Sequence, residues 1–227
     1  MSKILFIFGG RGELGIPLVN YLKKFDLRII LFLRNKVFEL HEGYEVKILP
    51  DFEDENSIYK AFLSVIGDGS AEYHLLSMIG AYDGGKPLHD TEPEVFDKLF
   101  KSNFTINSII ARNFIKALKN KAGGSITFIS SLTASNPSPD KIAYGVSKNA
   151  INYLTKSLSL ECRKLGISVN ALSPGVIETQ QNREWVNDSS DMIPPEMIAE
   201  FFNSIINNYR IISGNIIELP FTLENNA

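Results

Sequence analysis

The chain has 227 residues, 44% of them hydrophobic and 22% charged, which is enough apolar material to bury a core and too much for a disordered segment. Its 23 Lys plus Arg against 26 Asp plus Glu leave a formal charge of −3, so composition offers no electrostatic reason to bind nucleic acid or an anionic membrane. The single cysteine, Cys162, excludes an internal disulfide or a paired-cysteine zinc site and points to a cytoplasmic setting.

The first apolar run, Ile4 to Phe8, stops at Gly9-Gly10. A membrane span needs about 20 residues, so this run reads as a buried strand. Similar runs follow at 28–33, 45–49, 74–79, 125–130, 168–172 and 215–219. Helical stretches lie between them at 14–24, 53–65, 93–119, 144–165 and 195–209. Alternation of this kind predicts an α/β fold: a doubly wound parallel sheet of about seven strands with helices on both faces. No linker or low-complexity tract interrupts it, so residues 1–227 are expected to form one domain. The apolar surplus on 93–119 and 144–165 comprises Phe104, Ile109, Ile110, Phe114, Ile151, Leu154, Leu158 and Leu160. It exceeds one core-facing stripe.

The first strand runs into Gly9-Gly10-Arg11-Gly12-Glu13-Leu14-Gly15, which opens a helix. A turn this tight calls for positive φ and for backbone without Cβ. The helix start then offers free N–H groups and a positive dipole end to a pyrophosphate. The second strand ends at Leu33, followed by Arg34-Asn35-Lys36 with no carboxylate to hold a ribose 2′-hydroxyl. Arg34 and Arg11 either embrace a 2′-phosphate, favouring NADP(H) with NAD(H) still possible, or lie solvated on the surface. After the third strand, Asp51 is placed to accept from an adenine amine, with Phe52 beside the ring, to cap the next helix, or to do both.

Tyr144 and Lys148 stand one helical turn apart, and Ser131 follows the fifth run at the carboxyl edge of the sheet, where open α/β folds bind ligands. A neutral-pH base made from Tyr144 needs a neighbouring ammonium to lower its pKa, and Lys148 is spaced to supply it. Residues 180–195, with Trp185 and Met192 among polar neighbours, read as a substrate loop or as a surface excursion. Asp83, in Tyr82-Asp83-Gly84-Gly85, reads as a turn residue ahead of one facing substrate. Cys162 reads as packing. His41, His74 and His89 lack metal-ligand spacing.

With these elements in order, the sequence resembles the short-chain dehydrogenase/reductase family along nearly its whole length. The shared features are Gly9 to Gly15, Asp51, Gly80, Asn103, Ile129-Ser130-Ser131, Tyr144 to Lys148, Asn170 to Gly175 and Thr179. The resemblance implies a Rossmann-like fold and a tetrad of Asn103, Ser131, Tyr144 and Lys148. It also implies a nicotinamide near Ile79, Gly80, Pro174, Gly175, Ile177 and Thr179, with Leu14 in the phosphate turn. Asn103 either anchors a water beside Lys148 or is a polar plug in its helix. The expected reaction exchanges a hydride between NADP(H) and a small carbonyl or alcohol. The expected assembly is a homodimer or homotetramer packed through 93–119 and 144–165. Three departures stand out: Phe8 where a threonine is usual, the GxxGxxG spacing, and Ser77-Met78-Ile79-Gly80 where Asn-Asn-Ala-Gly is usual. The phrase Phe8 to Gly15 is similar to dihydropteridine reductases, which generally lack the serine matched by Ser131. A non-catalytic nicotinamide sensor is the remaining alternative.

Overall fold

The computed structural model describes residues 2–35, 43–67, 71–119, 121, 123–186 and 192–221. Strands β1 (Lys3–Phe8), β2 (Arg28–Leu33), β3 (Glu45–Ile48), β4 (Glu72–Ser77), β5 (Gly124–Ile129), β6 (Ile167–Pro174) and β9 (Ile216–Leu219) form a 7-stranded sheet in the order β3-β2-β1-β4-β5-β6-β9. Every neighbouring pair is parallel. The order reverses between β1 and β4, which opens a crevice at their carboxyl ends. This is the Rossmann-like sheet the alternation predicts.

Helices α1 (Gly15–Leu22) and α7 (Pro195–Asn207) cover one face; α2 (Glu55–Leu63), α4 (Ile106–Leu118) and α5 (Ile142–Glu161) cover the other. Strand periodicity divides the core between them. Ile4, Phe6 and Phe8 of β1 pack with Phe62, Phe114 and Ile151. Leu5 and Ile7 pack with Leu18, Leu22 and Phe202 on the opposite face. Phe8 has a structural reason: its ring stacks on Phe32 at 4.5 Å and meets Phe52 edge-on at 5.2 Å.

The stretch 93–119 is not one helix. Helix α3 (Pro93–Phe100) passes into a π-helical turn at Lys101–Thr105 before α4 begins. The apolar surplus is also smaller than expected. Ile110, Phe114 and Ile151 are core, while Phe104, Ile109, Leu154 and Leu158 are partly buried against it. Leu160 stands 78% exposed. Within 180–195 there is regular structure: β7 (Val176–Ile177) pairs with β8 (Met192–Ile193), and α6 (Gln180–Arg183) lies between them. Met192 is buried but Trp185 is exposed. Residues 187–191 of that loop, Lys36 and His41 lie outside the described residues. Among the described residues no helix is long and apolar enough to cross a membrane, and no His/Cys/Asp/Glu group is disposed to hold a metal.

Candidate active site

The crevice is a cleft of about 410 Å³ lined by Gly9, Arg11, Gly12, Arg34, Phe52, Met78, Ile79, Gly80, Ser102 and Ile106 among others. Seven of the expected cofactor residues therefore line one cleft. The turn that shapes it is fixed by sterics. Gly9 has φ +83, and a Cβ there would stand 2.9 Å from the Met78 carbonyl carbon. At Gly15 a Cβ would fall 2.4 Å from the Gly9 oxygen. Gly12 differs: its Cβ would meet nothing nearer than 3.7 Å, so packing within the chain does not demand a glycine there. Leu14 sits at the N-cap of α1 without a side-chain acceptor, and the first turn carries no acid. Ile16 N already donates to Gly12 O at 3.0 Å and Pro17 has no N–H, so the first turn leaves open the N–H of Gly15.

At the far wall the Arg34 guanidinium lies 5.0 Å from the Phe52 ring centroid. Phe52 is buried. Asp51 does not cap α2. It accepts from Glu53 N at 2.8 Å, while Asp54 accepts from Asn56 N and Ser57 N and makes the cap. The reason is distance along the chain: the helix starts at Glu55, beyond the reach of Asp51.

Beside Gly80 the polar residues converge. Lys148 is buried, donates to Ile129 O at 2.9 Å and lies 5.9 Å from the Tyr144 ring centroid. Ser131, at the end of β5, is hydrogen-bonded with the Tyr144 hydroxyl. A Cβ on Gly80 would stand 2.8 Å from Asn103 Oδ1 and 3.1 Å from Lys148 Nζ, so glycine lets both approach the loop. Asn103 lies in the π-helical turn. It accepts from Ala81 N at 2.8 Å and donates to Ala81 O at 3.0 Å and Ser147 Oγ at 2.9 Å.

The electrostatics differ from the sequence expectation in one respect. Burial raises the Tyr144 phenol above its ordinary value, Ser131 opposes the rise, and nearby Tyr82 adds to it. Burial also lowers Lys148 to about 8. Burial, rather than the anticipated pull of the ammonium, sets the direction of the phenol's shift.

Sequence reading missed the residues that brace this site. Ser77 Oγ donates to Asn107 Oδ1 at 2.6 Å, and Asn107 Nδ2 donates to Ile79 O at 3.1 Å and Asn103 O at 2.9 Å. Asn107 thus supports the loop after β4, where the usual asparagines are replaced. Ser130 Oγ donates to Asn152 Oδ1 at 2.6 Å and ties β5 to α5. Only an unusual density of Asn on otherwise apolar helices hinted at them. Pro174 ends β6, and Gly175, Ile177 and Thr179 follow it, but none of the four lines the cleft. Gly175 N donates to Leu219 O at 2.8 Å, and Thr179 Oγ1 caps α6 by accepting from Asn182 N at 3.2 Å.

Comparison with known proteins gives consistent matches. The model of the short chain dehydrogenase family matches residues 3–190. Dehydrogenase/reductase SDR family member 4 of Pongo abelii is 36% identical over 105 residues, 46% of this chain and 38% of that protein. The match thus spans well under half of that relative's length. Carbonyl reductase family member 4 of Xenopus laevis is 28% identical over 214 residues, 88% of this chain and 89% of that one. Among solved structures, ElxO with NADP bound superposes with a TM-score of 0.84 at 22% identity, covering 96% of this chain and 97% of its own. The likeness to ElxO is one of fold.

Proposed function

We infer the reaction from one premise: the chain belongs to the short chain dehydrogenase family. It is accordingly an NAD(P)-dependent oxidoreductase. Within that class we propose that it acts on a small carbonyl or alcohol with NADP(H) as the preferred cofactor. The observation that carries this reading is the meeting of Ser131, Tyr144 and Lys148, with Lys148 Nζ against Gly80, a residue that lines the cleft.

The residues fit a dinucleotide. Gly12 lacks a side chain where packing would admit one, which suits close approach of a pyrophosphate to the backbone. The loop from Gly9 through Leu14 to Gly15, with the Gly15 N–H at the start of α1, would hold the phosphates. Arg34 and Arg11 would hold a 2′-phosphate, and Asp51 and Phe52 would border the adenine. Ile79, Gly80, Pro174, Gly175, Ile177 and Thr179 would border the nicotinamide half. When bound, the nicotinamide supplies or accepts the hydride.

The side chains manage the proton. Ser131 donates to the substrate oxygen and holds it against Tyr144. In reduction Tyr144 gives its proton to that oxygen, and its raised pKa keeps the phenol protonated and ready to donate. Lys148 keeps one N–H on Ile129 O and has two left for the cofactor ribose. Asn103 retains one lone pair on Oδ1 for a water linking Lys148 to solvent.

A dihydropteridine-reductase-like activity is the second reading, favoured by the Phe8 to Gly15 phrase and opposed by Ser131. A non-catalytic sensor has no use for an intact Tyr144–Lys148 pair. The test is NADPH oxidation with a panel of ketones and quinonoid dihydropterins. Turnover of a ketone is expected; tight NADPH binding without any turnover would sink the proposal.

A further inference from the structure

Tyr82 is the second phenol of the site. Its ring meets the Tyr144 ring edge-to-face, with centroids 5.0 Å apart and planes at 73°. It is nonetheless 57% exposed, which is costly for an aromatic ring left facing water.

The loop that carries it is not free to fold the ring away. Ala81 is clamped on both its N–H and its carbonyl by Asn103. Asp83 pairs with Lys98 at 3.5 Å. Gly85, at φ +96, donates its N–H to the carbonyl of Asp140 at 2.8 Å, and Asp140 itself holds φ 60. A non-glycine residue at positive φ is a strained backbone held by its surroundings. Gly84 makes room for the phenol: a Cβ there would stand 2.9 Å from the Tyr82 hydroxyl. Residues 81, 83 and 85 are therefore tied on three sides, and the ring between them is presented beside the Tyr144 ring.

We propose that Tyr82 is a wall of the substrate site and determines specificity, favouring carbonyls that carry a flat apolar or aryl group over small alkyl ketones. This deepens the hydride-transfer reading above and rests on it. A planar substituent lying against the Tyr82 ring would cover the exposed face and set the carbonyl oxygen between Ser131 and Tyr144. The ring does the selecting, not the hydroxyl.

The experiment compares kcat/KM for acetophenone and 2-butanone with NADPH in wild type, Tyr82→Phe and Tyr82→Ala, with NADPH affinity measured alongside by fluorescence. Wild type and Tyr82→Phe should keep the same aryl-to-alkyl ratio. Tyr82→Ala should lower it by about tenfold, through KM for acetophenone, with NADPH affinity unchanged. Gly84→Ala displaces the ring without deleting it and should shift the ratio the same way, which covers the case where Tyr82→Ala fails to fold. An unchanged ratio in both alanine variants overturns the role of Tyr82 while leaving the hydride-transfer reading intact. A loss in Tyr82→Phe equal to that in Tyr82→Ala overturns the assignment to the ring. Reduction of no carbonyl by the wild type overturns both readings.

Discussion

Burial pushes both titratable groups of the site toward their neutral forms. Tyr144 is held above its ordinary pKa and Lys148 is lowered from 10.5 to about 8. Tyr144→Phe removes only the proton donor, so fold and NADPH affinity should survive. Turnover should fall by about 10²–10⁴-fold, and steady-state kinetics with a ketone and NADPH would check it. Near-normal rates would remove Tyr144 from the mechanism. Buried Lys148 carries a stability cost, which the proposed mechanism would account for. Its depressed pKa corresponds to about 3 kcal/mol of unfavourable charge burial. The cost is full below about 8, where folded and unfolded chains are both protonated, and fades as pH rises from about 8 to 10.5. Lys148→Met removes that cost but orphans the carbonyl of Ile129, a loss of about 1–3 kcal/mol. The variant should therefore be inactive yet as stable as wild type at pH 7, or more stable by up to about 2 kcal/mol. That advantage should shrink at pH 10. Urea melts at both pH values would decide.

In the proposed reading, the end of β2 sets cofactor preference at the level of the element. Strand pairing carries β2 to Leu33 beside Ile48 of β3, so the next residue, Arg34, emerges at the cleft and lies over Phe52. A charge-assisted hydrogen bond from a guanidinium to a phosphate is worth about 1.5–3 kcal/mol. NADPH should therefore be preferred over NADH by about tenfold to a hundredfold in kcat/KM. Leu33→Asp combined with Arg34→Ser should swing preference toward NADH, because the new carboxylate would hold a 2′-hydroxyl and repel a phosphate. Equal use of both cofactors by the wild type would mean that Arg34 serves only to cover Phe52. The π-helical turn at Lys101–Thr105 is another decision of this scale. It places Asn103 against Ala81, which the apolar periodicity of a continuous helix could not indicate.

Across the whole molecule, the centre of the sheet carries an acid-sensitive group and the surface carries an unpaired stripe. His74 is fully buried on β4, with Nδ1 2.8 Å from Ser125 Oγ, no hydrogen-bond partner on Nε2, and the Tyr209 ring 5.4 Å away. Burial, with a smaller push from Lys3, lowers its pKa from 6.5 to about 3. As pH falls from 6.5 toward 3 the unfolded chain takes up a proton that the folded chain refuses, so stability should drop by up to about 4–5 kcal/mol. His74→Leu should flatten that fall, as denaturant midpoints at pH 7 and pH 4 would report. An equal fall in the variant would place the acid sensitivity elsewhere. On α5 the exposed residues Ile142, Val146, Tyr153 and Leu160 lie within about 40° of one line along the helix. Such a stripe suits packing against a second copy, as the expected homodimer or homotetramer requires. Light scattering should give a multiple of the monomer mass, and Tyr153→Lys with Leu160→Lys should lower it. A wild-type monomer at micromolar concentration would end this assignment.

What the residues determine by themselves is what depends on local periodicity and local sterics. Seven apolar runs each became a strand of the sheet, within about two residues at their ends. Gly9 and Gly15 stand where no other residue fits. The expectation for β4 ran on to Ile79, but pairing with β1 stops at Ser77 opposite Phe8, because Gly9 then turns away. The pairings that only the tertiary structure decides join groups far apart in sequence. Asn107 braces Ser77 and Ile79, Asp54 takes the capping role open to Asp51, and burial raises the Tyr144 phenol that spacing alone expected Lys148 to lower. Periodicity reports which face of an element is buried. It does not report how dry the neighbourhood is or which distant polar group arrives there, and both of those set hydrogen bonding and pKa.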